Sequence, residues 1–109
     1  MAAIKSRECI EACNDCVEAC ESCATACLQH SDVKMMAKCI QLCRDCADIT
    51  ALCARFVARD SQFAKKLCAL CADICDACAA ECEKHKVEHC KMCAEECRKC
   101  AKECRKMAA

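Results

Sequence analysis

Cysteine recurs along this chain at intervals of three and four residues, and this spacing constrains the fold more than any other feature. Twenty of the 109 residues are cysteine, and they form four runs. Side chains three and four apart lie on one face of an α-helix. The runs place thiols at the a and d heptad positions, where Leu or Ile would normally form a core. The runs comprise Cys9, Cys13, Cys16, Cys20, Cys23 and Cys27; Cys39, Cys43, Cys46 and Cys53; Cys68, Cys71, Cys75, Cys78 and Cys82; and Cys90, Cys93, Cys97, Cys100 and Cys104.

The repeated pattern predicts an all-α fold, an up-down-up-down four-helix bundle with a cysteine-lined core, as a single domain over 1–109. Gly and Pro are both absent, which argues against hairpins and phosphate-binding loops. We expect Ser31 or Asp32 to cap the second helix, and Asp60 or Ser61 to cap the third. The predicted helices span roughly 3–28, 33–57, 62–83 and 87–106.

Composition excludes several classes of function. The chain carries 17 basic and 17 acidic residues, so bulk charge does not favour nucleic acid or an acidic membrane. Its aromatic residues are Phe56 and Phe63 alone, which is too few for a base-stacking surface. The first residues lack the apolar core of a signal peptide, and no stretch resembles a membrane span. We therefore expect a cytoplasmic protein whose thiols stay reduced.

Three interpretations of the cysteine stripes compete. Cysteine can act as a small buried hydrophobe, but that does not explain its replacement of nearly every a and d residue. A disulfide framework suits small secreted chains, and neighbouring cysteines on one helix point the wrong way for bridging. Soft-metal binding is the third interpretation, because thiolates select Cu(I), Zn or Fe–S clusters.

The spacing favours Cu(I) among these metals. Zn and Fe–S sites require four thiolates gathered by loops or turns, and uniform spacing along rigid helices predicts no discrete four-ligand sets. Cu(I) accepts two or three sulfurs, so a pair at i,i+3 or i,i+4 already forms a site. One Cu(I) per thiolate also leaves a neutral interior, whereas Zn²⁺ with four thiolates leaves −2 to bury.

Histidine and methionine extend the thiol stripes at one end. His30 follows Cys27 at the next d position, and His85 similarly follows Cys82. Met36 precedes Cys39 at an a position; Met35 is adjacent to it, and His89 directly precedes Cys90. In the predicted topology both loops lie at one end, so these five residues are candidate metal ligands at an entrance. Met92 falls at an outer position and is not predicted to be a ligand.

The sequence predicts an apolar plug at the opposite end of the bundle. Its residues are Phe56, Val57, Phe63 and Leu67, with Ile4 and Met107 nearby. The apolar flanks of the second and third helices serve equally well as a subunit interface or as closure of the monomer core.

These runs, on four helices with a His/Met cluster at one end, resemble the bacterial copper storage proteins (Csp) over essentially the whole chain. Without an export signal the chain resembles the cytosolic branch. The resemblance implies a homotetramer of four-helix bundles, each storing many Cu(I) ions on the 20 cysteines. It also implies entrance roles for His30, Met36, His85, Met35 and His89, and delivery of copper by a small thiol or a copper chaperone.

We therefore expect a cytoplasmic, non-enzymatic Cu(I) store that serves sequestration, homeostasis and detoxification, with no nucleic-acid or membrane partner. The nearest alternative is a broad Zn/Cd/Cu thiolate sink, similar to a metallothionein. A thiol redox protein is a third alternative, and it requires one activated, exposed cysteine.

Overall fold

A computed structural model describes residues 4–109, and four long α-helices account for most of this range. A 3₁₀ turn at Val33–Met36 precedes the second helix. The α-helices are α1 (Ile4–Cys27), α2 (Ala37–Ala58), α3 (Ala64–Cys82) and α4 (Glu88–Ala108).

The helices form an elongated antiparallel bundle with extents of 46 × 19 × 17 Å. Each helix packs against its neighbours in sequence, and α1 also packs against α4, which closes the square. The predicted fold class, an up-down-up-down four-helix bundle with a cysteine-lined core, is confirmed. Among residues 4–109, no helix has an apolar stretch long enough to cross a lipid bilayer.

The turn between α2 and α3 shows how a chain without glycine ends a helix. Asp60 adopts a positive φ of 52°, and its N–H donates to the carbonyl of Val57 at 3.1 Å. The N–H of Ser61 donates to the carbonyl of Phe56 at 3.0 Å. This is the hydrogen-bond pattern of a Schellman motif, in which glycine normally occupies the left-handed position. Asp60 therefore terminates α2, and the prediction that it caps α3 is wrong.

The neighbouring residues complete the turns at both ends of the bundle. Ser61 accepts a hydrogen bond from the N–H of Phe63 at 3.1 Å, just before α3 begins without a side-chain cap. At the other end, Asp32 accepts from the N–H of Met35 at 3.3 Å. This bond caps the 3₁₀ turn that precedes α2. Asp32 therefore caps that turn, and α2 itself begins without a side-chain cap.

The core consists of thiols flanked by small side chains. Buried alanines line the stripes on every helix, which lets the helices approach closely around the sulfurs. Thr50 occupies the a position between Cys46 and Cys53 and is fully buried. Its hydroxyl donates to the carbonyl of Cys46 at 2.7 Å. Thr50 thus satisfies its polar group on its own helix and interrupts the thiol stripe of α2.

Candidate metal centre

All twenty cysteines are free thiols, and all lie in the interior of the bundle. Their sulfurs contact one another between helices: Cys16 Sγ lies 3.7 Å from the Sγ of both Cys46 and Cys97. Cys46 Sγ lies 3.6 Å from Cys75 Sγ, so sulfurs of all four helices meet at this level. The four stripes form one continuous column of sulfur along the bundle axis.

Along each helix the column continues through pairs four residues apart. The Sγ atoms of Cys16 and Cys20 are 3.9 Å apart, and those of Cys93 and Cys97 are 4.0 Å apart. These distances exceed a disulfide bond of about 2 Å, and they allow a metal ion to bridge two sulfurs with little movement of the helices.

The sulfurs also gather in sets of four whose members lie within 4.8 Å of one another. The spacing predicted no discrete four-ligand sets, yet sets of four do form, because spacing along one helix does not describe how sulfurs from different helices meet. The sets overlap, however. Two of the sets have Cys13 and Cys104 in common, and two others have Cys20 and Cys97 in common. The sets include Cys9, Cys13, Cys53 and Cys104; Cys13, Cys71, Cys100 and Cys104; Cys16, Cys20, Cys46 and Cys97; Cys20, Cys78, Cys93 and Cys97; and Cys23, Cys39, Cys43 and Cys82.

Shared sulfurs decide which metals fit a full column. A Zn²⁺ ion with four thiolates of its own leaves the overlapping set incomplete, and each such site buries a charge of −2. Cu(I) needs only two or three sulfurs and tolerates a bridging thiolate. The geometry therefore suits a soft, monovalent ion throughout its length.

Burial opposes ionisation of some thiols of the metal-free column, including two at one end of the bundle. It raises the pKa of Cys27 to about 11, and the negative charge of a neighbouring Cys39 thiolate opposes ionisation further. The same two causes raise the pKa of Cys90 to about 12. Deeper in the column, the hydrogen bond with Cys16 and burial both raise the pKa of Cys20 above its usual range. Binding a metal ion must therefore release protons from these thiols.

Two histidines meet above the thiols at one end, which we call the open end. The Nε2 atoms of His30 and His89 are 3.1 Å apart. His89 Nδ1 lies 3.3 Å from Cys23 Sγ and 3.6 Å from Cys90 Sγ. The His89 imidazole thus connects the half-buried His30 with Cys23 and Cys90 of the column.

The other predicted entrance residues separate. Met36 is fully buried at the base of α2, whereas 61% of Met35 is exposed. His85 Nε2 lies 3.1 Å from Glu81 Oε2, and Glu81 is itself buried. The structure therefore places His89 against the column with His30 beside it, buries Met36 in the core, and places His85 against a carboxylate on α3.

The opposite end, which we call the closed end, holds no histidine. Val57 and Ala64 are buried there, but Phe63 is 56% exposed and Ile4 is 78% exposed. The expected apolar plug is thus smaller than predicted. Phe56 is half-buried, with the Arg59 guanidinium 4.4 Å from its ring centre.

Met92 lies outside the a and d positions, and the sequence does not predict it to be a ligand. In the structure it lines a groove between α1 and α4 that reaches Cys23 and Cys93. The available signal was its spacing of three from His89, which places both on one flank of α4.

A comparison with protein-family models matches residues 2–109 to the family described as copper storage protein. The comparison with curated proteins finds no match. The family match spans nearly the whole chain, so it concerns the bundle rather than one motif.

Several solved structures share the fold. Apo copper storage protein 3 from Bacillus subtilis is 53% identical, with a TM-score of 0.89 over 95% of this chain and 99% of that one. A Cu(I)-bound structure of BsCsp3 is 52% identical, with a TM-score of 0.92 over 96% and 99% of the two chains. A cytosolic copper storage protein from Streptomyces lividans, with five coppers, is 36% identical, with a TM-score of 0.92 over 95% and 92%.

Proposed function

Because the chain belongs to the copper storage protein family, we propose that it stores many Cu(I) ions on the thiolates of its twenty cysteines. The observation that carries this proposal is the continuous column of sulfur, in which no cysteine is more than 1% exposed. Similar proteins hold Cu(I), and one from Streptomyces lividans is described as loaded with 10 copper equivalents.

Storage follows from ligand exchange without catalysis. Each arriving Cu(I) replaces thiol protons, which leave to water, and the ion remains as Cu(I) between two or three sulfurs. One ion per thiolate leaves the interior neutral, so filling the column does not accumulate buried charge. A thiol redox enzyme needs an accessible, activated cysteine, and burial of all twenty thiols disfavours that role.

The test is an anaerobic Cu(I) titration of the reduced protein in competition with a Cu(I) chelator, with free thiols counted at each step. We expect copper to approach about one ion per cysteine while the thiols become protected in parallel. Saturation at a few ions, with most thiols still reactive, would contradict storage. A parallel Zn²⁺ titration that matched the copper capacity and affinity would favour the broad thiolate sink.

We further propose that His30, His89 and Met36 bind Cu(I) transiently at the open end and pass it to Cys23, Cys27 and Cys90. Imidazole and thioether are neutral ligands that hold Cu(I) more weakly than thiolate, so transfer into the column is downhill. Met35, which is mostly exposed, and His85, which lies against Glu81, complete the predicted set. The donor is a small thiol or a copper chaperone of the same compartment.

Exposed apolar side chains on α2 and α3 support a homo-oligomer, which we propose to be the tetramer that the family resemblance implies. Leu52, Phe63 and Leu70 are 40%, 56% and 50% exposed. Light scattering of wild type and of a Leu52→Glu/Leu70→Glu variant tests this interface, and a monomeric wild type would contradict it. We place the protein in the cytoplasm, in agreement with the cytosolic relative from Streptomyces lividans.

A further inference from the structure

A groove between α1 and α4 reaches the thiol column from the side. It has a volume of about 500 Å³ and opens between small residues of α1, Ala19 and Ser22, and the larger side chains of α4. Small residues along this seam leave the two helices separated by space that side chains do not fill. The groove lies beside the open end, where His89 lines it, and it extends along α1 to Asp15.

Metal ligands form the inner wall of this groove. Cys23 and Cys93 line it together with His89, whose Nδ1 lies 3.3 Å from Cys23 Sγ. Cys23 is 1% exposed, whereas the other cysteines are at 0%. Met92 also lines the groove and is 57% exposed, so its thioether is available to an ion arriving from solvent.

Carboxylates form the outer wall. Asp15, Glu18, Glu95 and Glu96 line the groove, and its lining includes no lysine or arginine. Within the described part of the chain, Glu96 Oε2 is shielded from solvent and has no hydrogen-bond partner. An unpaired, shielded carboxylate oxygen beside three further carboxylates gives the groove a negative potential, which attracts cations.

The grooves at two other helix seams lack this combination. The one between α1 and α2 is lined by Glu21, Asp48 and Arg44 among others, and no cysteine reaches it. The one between α3 and α4 contains Lys86, Lys91 and Arg98, and it also has no thiol. Charge and sulfur coincide at the α1–α4 seam.

We propose that Cu(I) also enters the column from the side, through the α1–α4 groove. The carboxylates attract the cation, Met92 is its outermost sulfur ligand, and Cys23 and Cys93 receive it. The transfer is ligand exchange with no change of oxidation state, and the displaced thiol protons leave to water. This inference depends on the proposed storage of Cu(I), and it adds a lateral route that shares His89 and Cys23 with the open end.

The first test removes the groove charge and compares it with an equal change elsewhere. Glu18→Gln/Glu96→Gln raises the net charge by two within the groove, and Glu8→Gln/Glu11→Gln does so on exposed positions of α1 outside it. Anaerobic stopped-flow measures initial uptake of Cu(I) supplied as its cationic acetonitrile complex. We expect uptake about fivefold slower for the groove variant at low salt and less than 1.5-fold slower for the control. The difference should vanish at about 0.5 M salt.

Equal rates in the two double variants would overturn the lateral route, because bulk charge would then account for any steering. Final capacity separates this outcome from failure of storage itself. A wild-type protein that binds only a few ions contradicts the storage proposal, whereas full capacity with unchanged rates contradicts only the groove.

A second variant pair tests the sulfur without altering charge. Met92→Leu conserves volume and removes the thioether, and Met107→Leu makes the same change at the half-buried closed end. We expect Met92→Leu to slow initial uptake about threefold with unchanged capacity, and Met107→Leu to have no measurable effect. An unchanged rate for Met92→Leu would remove Met92 from the route.

Discussion

The two ends of the bundle contain the same thiol stripes but terminate them differently. At the open end, an imidazole lies 3.3 Å from Cys23 Sγ, and buried Met36 supplies a thioether. At the closed end, Cys53 Sγ and Cys68 Sγ lie 3.4 Å apart, and Val57 and Ala64 cover this end with aliphatic carbon. The comparison teaches that the heptad makes the column at both ends, whereas the residues just beyond it add imidazole and thioether side chains at the open end.

Alkaline pH gives the largest expected effect, and it acts through thiols of the open end. The pKa of Cys27 is raised to about 11 and that of Cys90 to about 12 from 9.0, chiefly by burial. Protonated thiols favour the folded state, so their contribution is fully present below pH 9 and is lost as pH rises towards 12. We expect the metal-free protein to lose about 3 kcal/mol for Cys27 alone, since each pKa unit corresponds to about 1.4 kcal/mol.

Anaerobic denaturant unfolding between pH 8 and pH 12 measures this loss. Copper-loaded protein is the control, because it contains the same lysines while its metal-bound thiolates no longer titrate. A Cys27→Ala variant should lose less stability over this range than wild type. A metal-free protein whose unfolding free energy does not change across the range would contradict the assignment.

Adjacent methionines test the open end more finely. Met36 is fully buried beside the terminal thiols, and Met35 is mostly exposed. We expect Met36→Leu to slow copper transfer to a chelator about fivefold. The substitution removes a weak ligand while it conserves side-chain volume. Met35→Leu is the matched control and should match wild type. Equal effects of the two substitutions would mean that burial beside the column does not matter for exchange.

The closed end gives the smallest effect, through Asp60 in the α2–α3 turn. Its φ of 52° disfavours a residue with a Cβ atom, and Asp tolerates this region better than Ala. We expect Asp60→Ala to lower the unfolding free energy by about 1 kcal/mol, and Asp60→Gly to maintain or slightly raise it. Thermal unfolding of both variants measures the difference. If Ala and Gly were equally stable there, the left-handed turn would impose no cost.

Spacing predicts what lies along one helix, and it succeeded on that question. The three-four intervals correctly predicted four helices and burial of all twenty cysteines. The heptad position also separated Met36 from Met35, since only Met36 continues an a/d stripe. The metal-binding roles of these residues stay predictions.

Contacts between helices were not accessible from spacing. One contact along α3 was also missed: His85 continues the stripe, yet it contacts Glu81, an i,i+4 carboxylate that the sequence already contains. His89 lies off the heptad stripe, yet its ring reaches Cys23 on α1. The four-thiol sets and the Met92 groove likewise depend on how neighbouring helices face each other.

Because the sulfur column is continuous, the number of thiols available for storage depends on the length of the bundle. Inserting one heptad into each helix would lengthen the bundle by about 10 Å and add two thiol positions per helix, while its cross-section and both ends stayed unchanged. Such a bundle can become longer or shorter in steps of one heptad, and each step changes the number of thiols without altering either end.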